Sequence, residues 1–251
     1  MNIVVSGWPG VGETTLALLL AKTLNYKLIQ GSATFRFLGE KLSFNNTGED
    51  RVKADELLEP SWGPIFEKYN QYLVKNREKF VMETDITGFF TKDVPNHLSI
   101  FLLSEMSSRK ERLERDGRMK DIEVLEDRDE SLEQKYKQLF GIEFHNKDQI
   151  KNNYKLMIDN TNISITDELK MVYSKLFELK AINEDWKYNY LEQAQAEVDN
   201  YNREGKEWYL NYLKTNQLYD SAEDIIKDIK QIFPDEVSRL PKQILQIINN
   251  L

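Results

Sequence analysis

The stretch Gly7-Trp8-Pro9-Gly10-Val11-Gly12-Glu13-Thr14-Thr15 constrains the fold more than any other part of the chain. It lies between the apolar runs Ile3-Val4-Val5 and Leu16 to Ala21, so a strand, a Gly-rich turn and a helix follow in order. Gly7, Gly12 and Thr14 meet the spacing G-x-x-x-x-G-K-[ST] of a phosphate-binding loop, with Glu13 where that pattern has Lys. Glycines let successive backbone N–H groups turn inward on a phosphate, and the start of the following helix adds partial positive charge. Gly7, Gly10, Gly12, Glu13, Thr14 and Thr15 are therefore the candidate cofactor-binding positions, and the Thr14 hydroxyl is the candidate Mg²⁺ ligand. Glu13 removes the cation that would meet the β- and γ-phosphates and puts an anion in its place. A unit charge pair at about 4 Å and an effective dielectric near 20 is worth roughly 4 kcal/mol, so an uncompensated loop would lose at least about a thousandfold in rate.

Composition narrows the ligands. The chain has 251 residues, enough for one full α/β core and a smaller appendage. Its 34 basic and 42 acidic residues give a net charge of −8, which argues against a broad nucleic-acid footprint. No apolar run approaches the length of a membrane span, and Met1-Asn2 leads straight into Ile3 without a basic leader. Cysteine is absent, which excludes disulfides and Cys-based zinc sites. His97 and His145 have no clustered ligand partners, so no metal beyond Mg²⁺ is expected. A cytoplasmic protein acting on small ligands, with no membrane association, is the expectation.

Along the chain, strands are predicted at Asn2 to Ser6, Tyr26 to Gln30, Phe80 to Thr84, Leu98 to Leu103 and Tyr154 to Asp159. Gly31 to Leu38 is followed by a polar insertion through about Glu59 and a helical stretch from Pro64 to Asn76, longer together than a crossover between parallel strands requires. Glu83, Asp85 and Gly88 follow the third strand, beyond the carboxyl end where ligands of open α/β sheets gather. After the fourth strand, Ser108 to Arg118 predicts a helix carrying Arg109 and Arg112, and Arg128 opens another that stops at Gly141. Ser164 and Asp167 form a capping box ahead of the stripe Leu169, Val172, Tyr173 and Leu176.

These landmarks resemble the nucleoside-monophosphate kinases, most closely the short cytidylate kinases of archaeal type, over about residues 1–180. The resemblance rests on the loop, on Phe35-Arg36, on Glu83-Thr84-Asp85-Ile86-Thr87-Gly88 and on Arg109-x-x-Arg112. It continues through Arg128-x-x-Ser131-x-x-x-Lys135-Tyr136-x-x-x-Phe140-Gly141-Ile142-Glu143 and Tyr154 to Thr161. It implies an α/β fold of the P-loop NTPase class: a five-stranded parallel sheet with helices on both faces. About residues 31–78 would bind the acceptor, and about 105–140 would form a lid. It also implies transfer of the ATP γ-phosphoryl group to CMP or dCMP with Mg²⁺. Arg36, with Glu83 and Asp85, would face the acceptor; Arg109, Arg112, Arg128 and Lys135 would serve catalysis from the lid. Glu13 replaces the loop Lys, Asp85 an Arg of the third-strand turn, and Lys135 a lid Arg that loses its bidentate geometry. Losses in all three regions point to a site drifting from kinase work. Compensation by a metal ion held at Glu83 and Asp85 is an alternative.

Residues 181–251 exceed a minimal kinase and read as an all-helical appendage. Trp186, Tyr190, Ala194, Val198 and Tyr201 share a face, continued by Trp208, Tyr209, Tyr212 and Leu213 beyond Gly205. A capped helix from Ser221 to Phe233 and an apolar piece from Val237 to Leu251 follow. Two readings are open: a hairpin or bundle packed on the kinase-like part, or an aromatic interface for a homodimer or protein partner. The functions in view are thus a weakened nucleotide kinase and a pseudokinase that senses nucleotide or assembles through its appendage. A P-loop protein acting on another small molecule or an RNA end is a third.

Overall fold

The structure, a computed structural model, describes residues 1–45, 48–205, 207–208, 211 and 221–251, with the backbone alone at Lys187 and Tyr188. The predicted residues Tyr209, Tyr212 and Leu213 lie outside the described residues. The strands are β1 (Asn2–Gly7), β2 (Lys27–Gln30), β3 (Phe80–Glu83), β4 (His97–Leu103) and β5 (Leu156–Asp159). They form one parallel sheet in the order β2-β3-β1-β4-β5. β1 is buried along its whole length because it has a neighbour on each side and helices on each face. Val5 pairs with Glu83 in register, which sets the loop after β1 beside the carboxyl end of β3.

Alternation along the strands separates two apolar layers. Ile3, Val5, Leu28 and Val81 pack with Leu16 to Leu20 of α1 (Glu13–Leu24) and with α10 (Ile165–Glu178). Val4, Ile29, Phe80 and Met82 pack with Phe66, Tyr69 and Leu73 of α4 (Trp62–Asn76). The stretch read as a polar insertion is instead two helices, α2 (Ala33–Lys41) and α3 (Gly48–Leu58). Only Thr34, Phe35, Leu38, Ala54 and Leu58 of their longer side chains are buried, so a thin apolar stripe in polar sequence suffices once α4 lies beneath it. A short α5 (Thr87–Phe90) follows β3. The lid stretch comprises α6 (Met106–Arg115), α7 (Met119–Glu123) and α8 (Leu125–Phe140), and α8 stops at Gly141 with φ 68°, as the sequence predicts. A short α9 (Lys147–Asn153) leads to β5.

The appendage is not one bundle. α11 (Trp186–Asn189) and α12 (Leu191–Glu204) lie on α1 and α10, where Trp186, Ala194, Val198, Tyr201 and Trp208 join that layer's core. α13 (Ala222–Ile232), α14 (Pro234–Val237) and α15 (Lys242–Asn249) belong to the other layer, with α13 and α15 on α2 and α13 also on α4. Ile225, Ile226, Ile229, Ile244 and Ile248 are buried there. The aromatic stripe read as a candidate interface is therefore spent inside the chain: Trp186 and Tyr201 are buried and Tyr190 is half-buried against the core. No described helix is long and apolar enough to cross a membrane.

Candidate active site

The loop between β1 and α1 turns at Gly10 (φ 80°) and Gly12 (φ 98°), left-handed conformations that a Cβ would strain. Gly12 is the N-cap of α1 and offers no side-chain hydrogen bond, and in the first turn the Glu13 carboxyl accepts from its own backbone N–H. The rest of the loop is braced from behind. Arg109 is buried, pairs with Asp129 through its two terminal guanidinium nitrogens and donates to the Pro9 carbonyl at 3.0 Å. Its guanidinium also lies 5.9 Å from the Trp8 ring centre, and Trp8 stacks on His145 at 4.8 Å. Arg112 donates to the Val11 carbonyl (3.2 Å), to Ser104 Oγ (3.0 Å) and to both Asn160 oxygens (3.1 and 2.6 Å). Asn160 Nδ2 donates to the same Val11 carbonyl at 2.8 Å. The two lid arginines nearest in sequence thus hold the loop's backbone. Asp129 and Asn160 had no assigned role in the sequence reading, because their partners lie 20 residues and more away.

Glu13 begins α1 and is half-buried. Burial, then the Glu83 carboxylate and more weakly Asp85, push its carboxyl up to about 8. The Thr14 hydroxyl donates to Glu83. Glu83, at the end of β3, is buried, and its carboxyl is raised by that burial while Arg36 and the Thr14 hydrogen bond pull the other way. Arg36 donates to Gln30 Oε1 at 3.3 Å and to Ser32 Oγ. Asp85 is exposed and accepts a 2.8 Å hydrogen bond from the Tyr136 hydroxyl.

In front of Glu83 is a cavity of about 50 Å³ lined by the carboxylates Asp55, Glu59, Glu67, Glu83 and Asp85. Cations are present but paired: Arg51 meets both oxygens of Asp55 at 3.1 Å, Arg128 lies 3.8 Å from Asp55, and Lys135 lies 3.0 Å from Glu59. Burial raises Glu59 to about 7 and Glu67 to about 8. Arg128 and Lys135 are therefore brought to the Glu83 side, while Arg109 and Arg112 lie behind the loop. Among the described residues no group of three or more His, Cys, Asp or Glu could hold a metal ion. Mg²⁺ brought by a nucleotide needs less, one or two protein oxygens beside its phosphates, and Thr14 with Glu83 fits that donor set.

On the other side of the loop a cavity of about 320 Å³ opens between Gly12, Thr15, the start of α10 and helix α12. No family model matches the chain. A cytidylate kinase of Methanosarcina acetivorans is 30% identical over 151 residues, which cover 57% of this chain and 80% of that protein. The chain belongs to the cytidylate kinase family. The cytidylate kinase of Methanosarcina barkeri is 28% identical over 181 residues, covering 70% of this family member and 98% of its relative. The relative is thus matched almost end to end while the chain has length to spare. Among solved structures, a shikimate kinase from Acinetobacter baumannii in complex with shikimate covers 72% of the chain and 95% of its own, at 17% identity and a TM-score of 0.42.

Proposed function

We propose that this cytidylate kinase-family chain binds a nucleotide at the loop and transfers the ATP γ-phosphoryl group to CMP or dCMP only weakly. The observation that carries the reading is Glu13 at the start of α1, its carboxyl raised beside Glu83 and Asp85. The glycine-capped start of α1 supports phosphate binding without a lysine, with the Glu13 carboxyl in competition for its own amide. Phosphoryl transfer runs on alignment and positive charge, and here Lys135 is paired with Glu59 and Arg128 shares Asp55 with Arg51, while Arg109 and Arg112 brace the loop. With its carboxyl near 8, Glu13 is mostly protonated at neutral pH before ligand binds, so it withholds attraction more than it adds repulsion. Mg²⁺, where bound, would supply part of the missing charge. Arg36, close enough to Glu83 to favour its charged form, is the candidate cation for an acceptor phosphate.

A second reading, a pseudokinase that reports nucleotide occupancy through its appendage, is favoured by one contact. Arg115 at the end of α6 donates to the Tyr201 hydroxyl of α12 at 2.9 Å, which joins the lid stretch to the appendage. Calorimetric titration with Mg·ATP and coupled assays with CMP, dCMP, UMP and AMP test both. Binding with slow turnover of CMP or dCMP is expected. Brisk CDP formation would overturn the impairment, binding without any turnover would favour the second reading, and absence of binding would overturn both.

A further inference from the structure

The cavity in front of Glu83 is walled by more hydrogen-bond acceptors than the chain supplies donors for, and three side chains from α4 and β3 carry the excess. Asn70 of α4 is 1% exposed; its Nδ2 donates to Thr87 Oγ1 at 3.1 Å, but its Oδ1 is buried with no hydrogen-bond partner. Glu83, at the end of β3, is 8% exposed and accepts from the Thr14 hydroxyl, yet its Oε2 is buried and also has no partner. Arg36 and more weakly Arg51 favour its charged form without supplying that hydrogen bond. Glu67, three residues before Asn70 on α4, accepts from Thr87 Oγ1 at 2.9 Å and from Gln71 Nε2 at 3.4 Å. Among the described residues no ion pair reaches Glu67, and burial raises its carboxyl to about 8. The other acids of the wall are served: Arg51 meets Asp55, Lys135 meets Glu59 and Tyr136 donates to Asp85.

What completes the wall follows from its chemistry. A buried acceptor without a donor is costly, and one facing a cavity is satisfied when a ligand brings the donor. Glu67 needs positive charge as well, because a buried carboxylate is stable in its ionised form only when paired. A neutral amide brings N–H donors without charge, and a quaternary ammonium brings charge without donors. A primary ammonium brings both, with three N–H donors on one nitrogen. Size agrees: about 50 Å³ is far below the roughly 300 Å³ at which sites for whole ligands begin, so the cavity takes the end of a molecule. Asp85 is exposed and lines the same cavity, which gives it an edge in solvent.

We infer that the cavity in front of Glu83 is a subsite for a primary ammonium group, the charged end of a small aliphatic amine, held by Glu67, Glu83 and Asn70. This goes beyond the proposed nucleotide reading and stands without it, so the test omits nucleotide and Mg²⁺. Ethylammonium chloride, acetamide and tetramethylammonium chloride are titrated on the full chain by ligand-observed NMR at neutral pH and constant ionic strength. Ethylammonium is expected to bind with a Kd of about a few millimolar, near the most that three non-hydrogen atoms sustain. Acetamide, with donors and no charge, and tetramethylammonium, with charge and no donors, should each bind at least about tenfold more weakly. Glu67→Gln keeps the shape and removes the charge, and Glu83→Gln puts an amide where the bare oxygen stands; each should lower ethylammonium affinity about tenfold. No ethylammonium binding, binding no tighter than that of either control, or an affinity unmoved by both variants would overturn the inference. None of these results touches nucleotide binding, which the Mg·ATP titration reads separately. Melting curves of the variants establish that they are folded; either one carries the test alone, and the three-ligand comparison on the wild type carries it if neither folds.

Discussion

The cavity on the Glu83 side of the loop is small, about 50 Å³, and lined by five carboxylates whose neighbouring cations are already paired. The cavity on the Glu168 side is about 320 Å³ and faces Arg112, whose donors go to neutral oxygens, and Arg115. The two cavities lie on either side of the same loop, yet one is small and lined by carboxylates while the other is larger and lined mostly by neutral side chains with Arg112, Arg115 and Glu168. A phosphate loop can therefore keep its backbone function, which depends on main-chain geometry, after losing the side-chain charges that made it reactive.

The contrast would break most visibly if charge were returned to the Glu83 side. Glu13→Lys replaces a carboxyl with the cation that phosphoryl transfer requires, and CMP turnover in a coupled assay should rise at least about a hundredfold, since roughly 4 kcal/mol of attraction is at stake. An unchanged rate would place the impairment elsewhere, in Asp85 or the paired lid cations. Next in size is Arg109, which the contrast assigns to bracing and not to reacting atoms. Arg109→Ala leaves Asp129 buried without its partner, and urea unfolding should show a loss of about 3–5 kcal/mol. A folded, equally stable variant with lower turnover would restore Arg109 to the catalytic group.

The desolvated acids around the loop and its two cavities set a pH trend. Glu13, Glu67 and Glu168 have carboxyls raised from the ordinary 4.5 to about 8 in the folded chain. A group raised on folding contributes stability that is full below its unfolded value and is lost as pH rises through the folded one, so melting temperature should fall between about pH 4.5 and 8. Glu67→Gln should flatten that fall, by roughly 2–4 °C for each kcal/mol removed; a rising curve would contradict the burial. The smallest effect is expected at Tyr136, whose hydroxyl ties the lid stretch to exposed Asp85. Tyr136→Phe should cost about 0.5–1.5 kcal/mol in denaturant unfolding, because Asp85 can be hydrated instead.

Much of the scaffold was readable in advance because burial writes a strong pattern. All five strands appear within two residues of their predicted starts, and the Ser164 and Ser221 caps accept from Asp167 and Asp224 amides as their spacing implied. The helices of the acceptor region were missed, since α2 and α3 each bury few side chains and their sequence is mostly polar. The site divided in the same way. The loop was legible because its glycines answer to local backbone needs, whereas the duties of Arg109, Arg112, Arg128 and Lys135 depend on partners remote in sequence. Nothing local in Arg109-x-x-Arg112 indicates whether a guanidinium faces a phosphate or the carbonyls of Pro9 and Val11.

From its order of residues alone this chain determined a strand, a glycine turn and a helix start, with Glu13 at the position where the phosphate-loop pattern has Lys. Those features are short-range, governed by φ angles and by hydrogen bonds a few residues apart. Tertiary packing alone decided that two arginines brace the loop and that α12 and α13 lie in different layers of the core. It also decided that Glu168 faces a cavity with one oxygen unpaired. Ion pairing and burial act through space, and a linear sequence carries no record of which distant groups will share the same few ångströms.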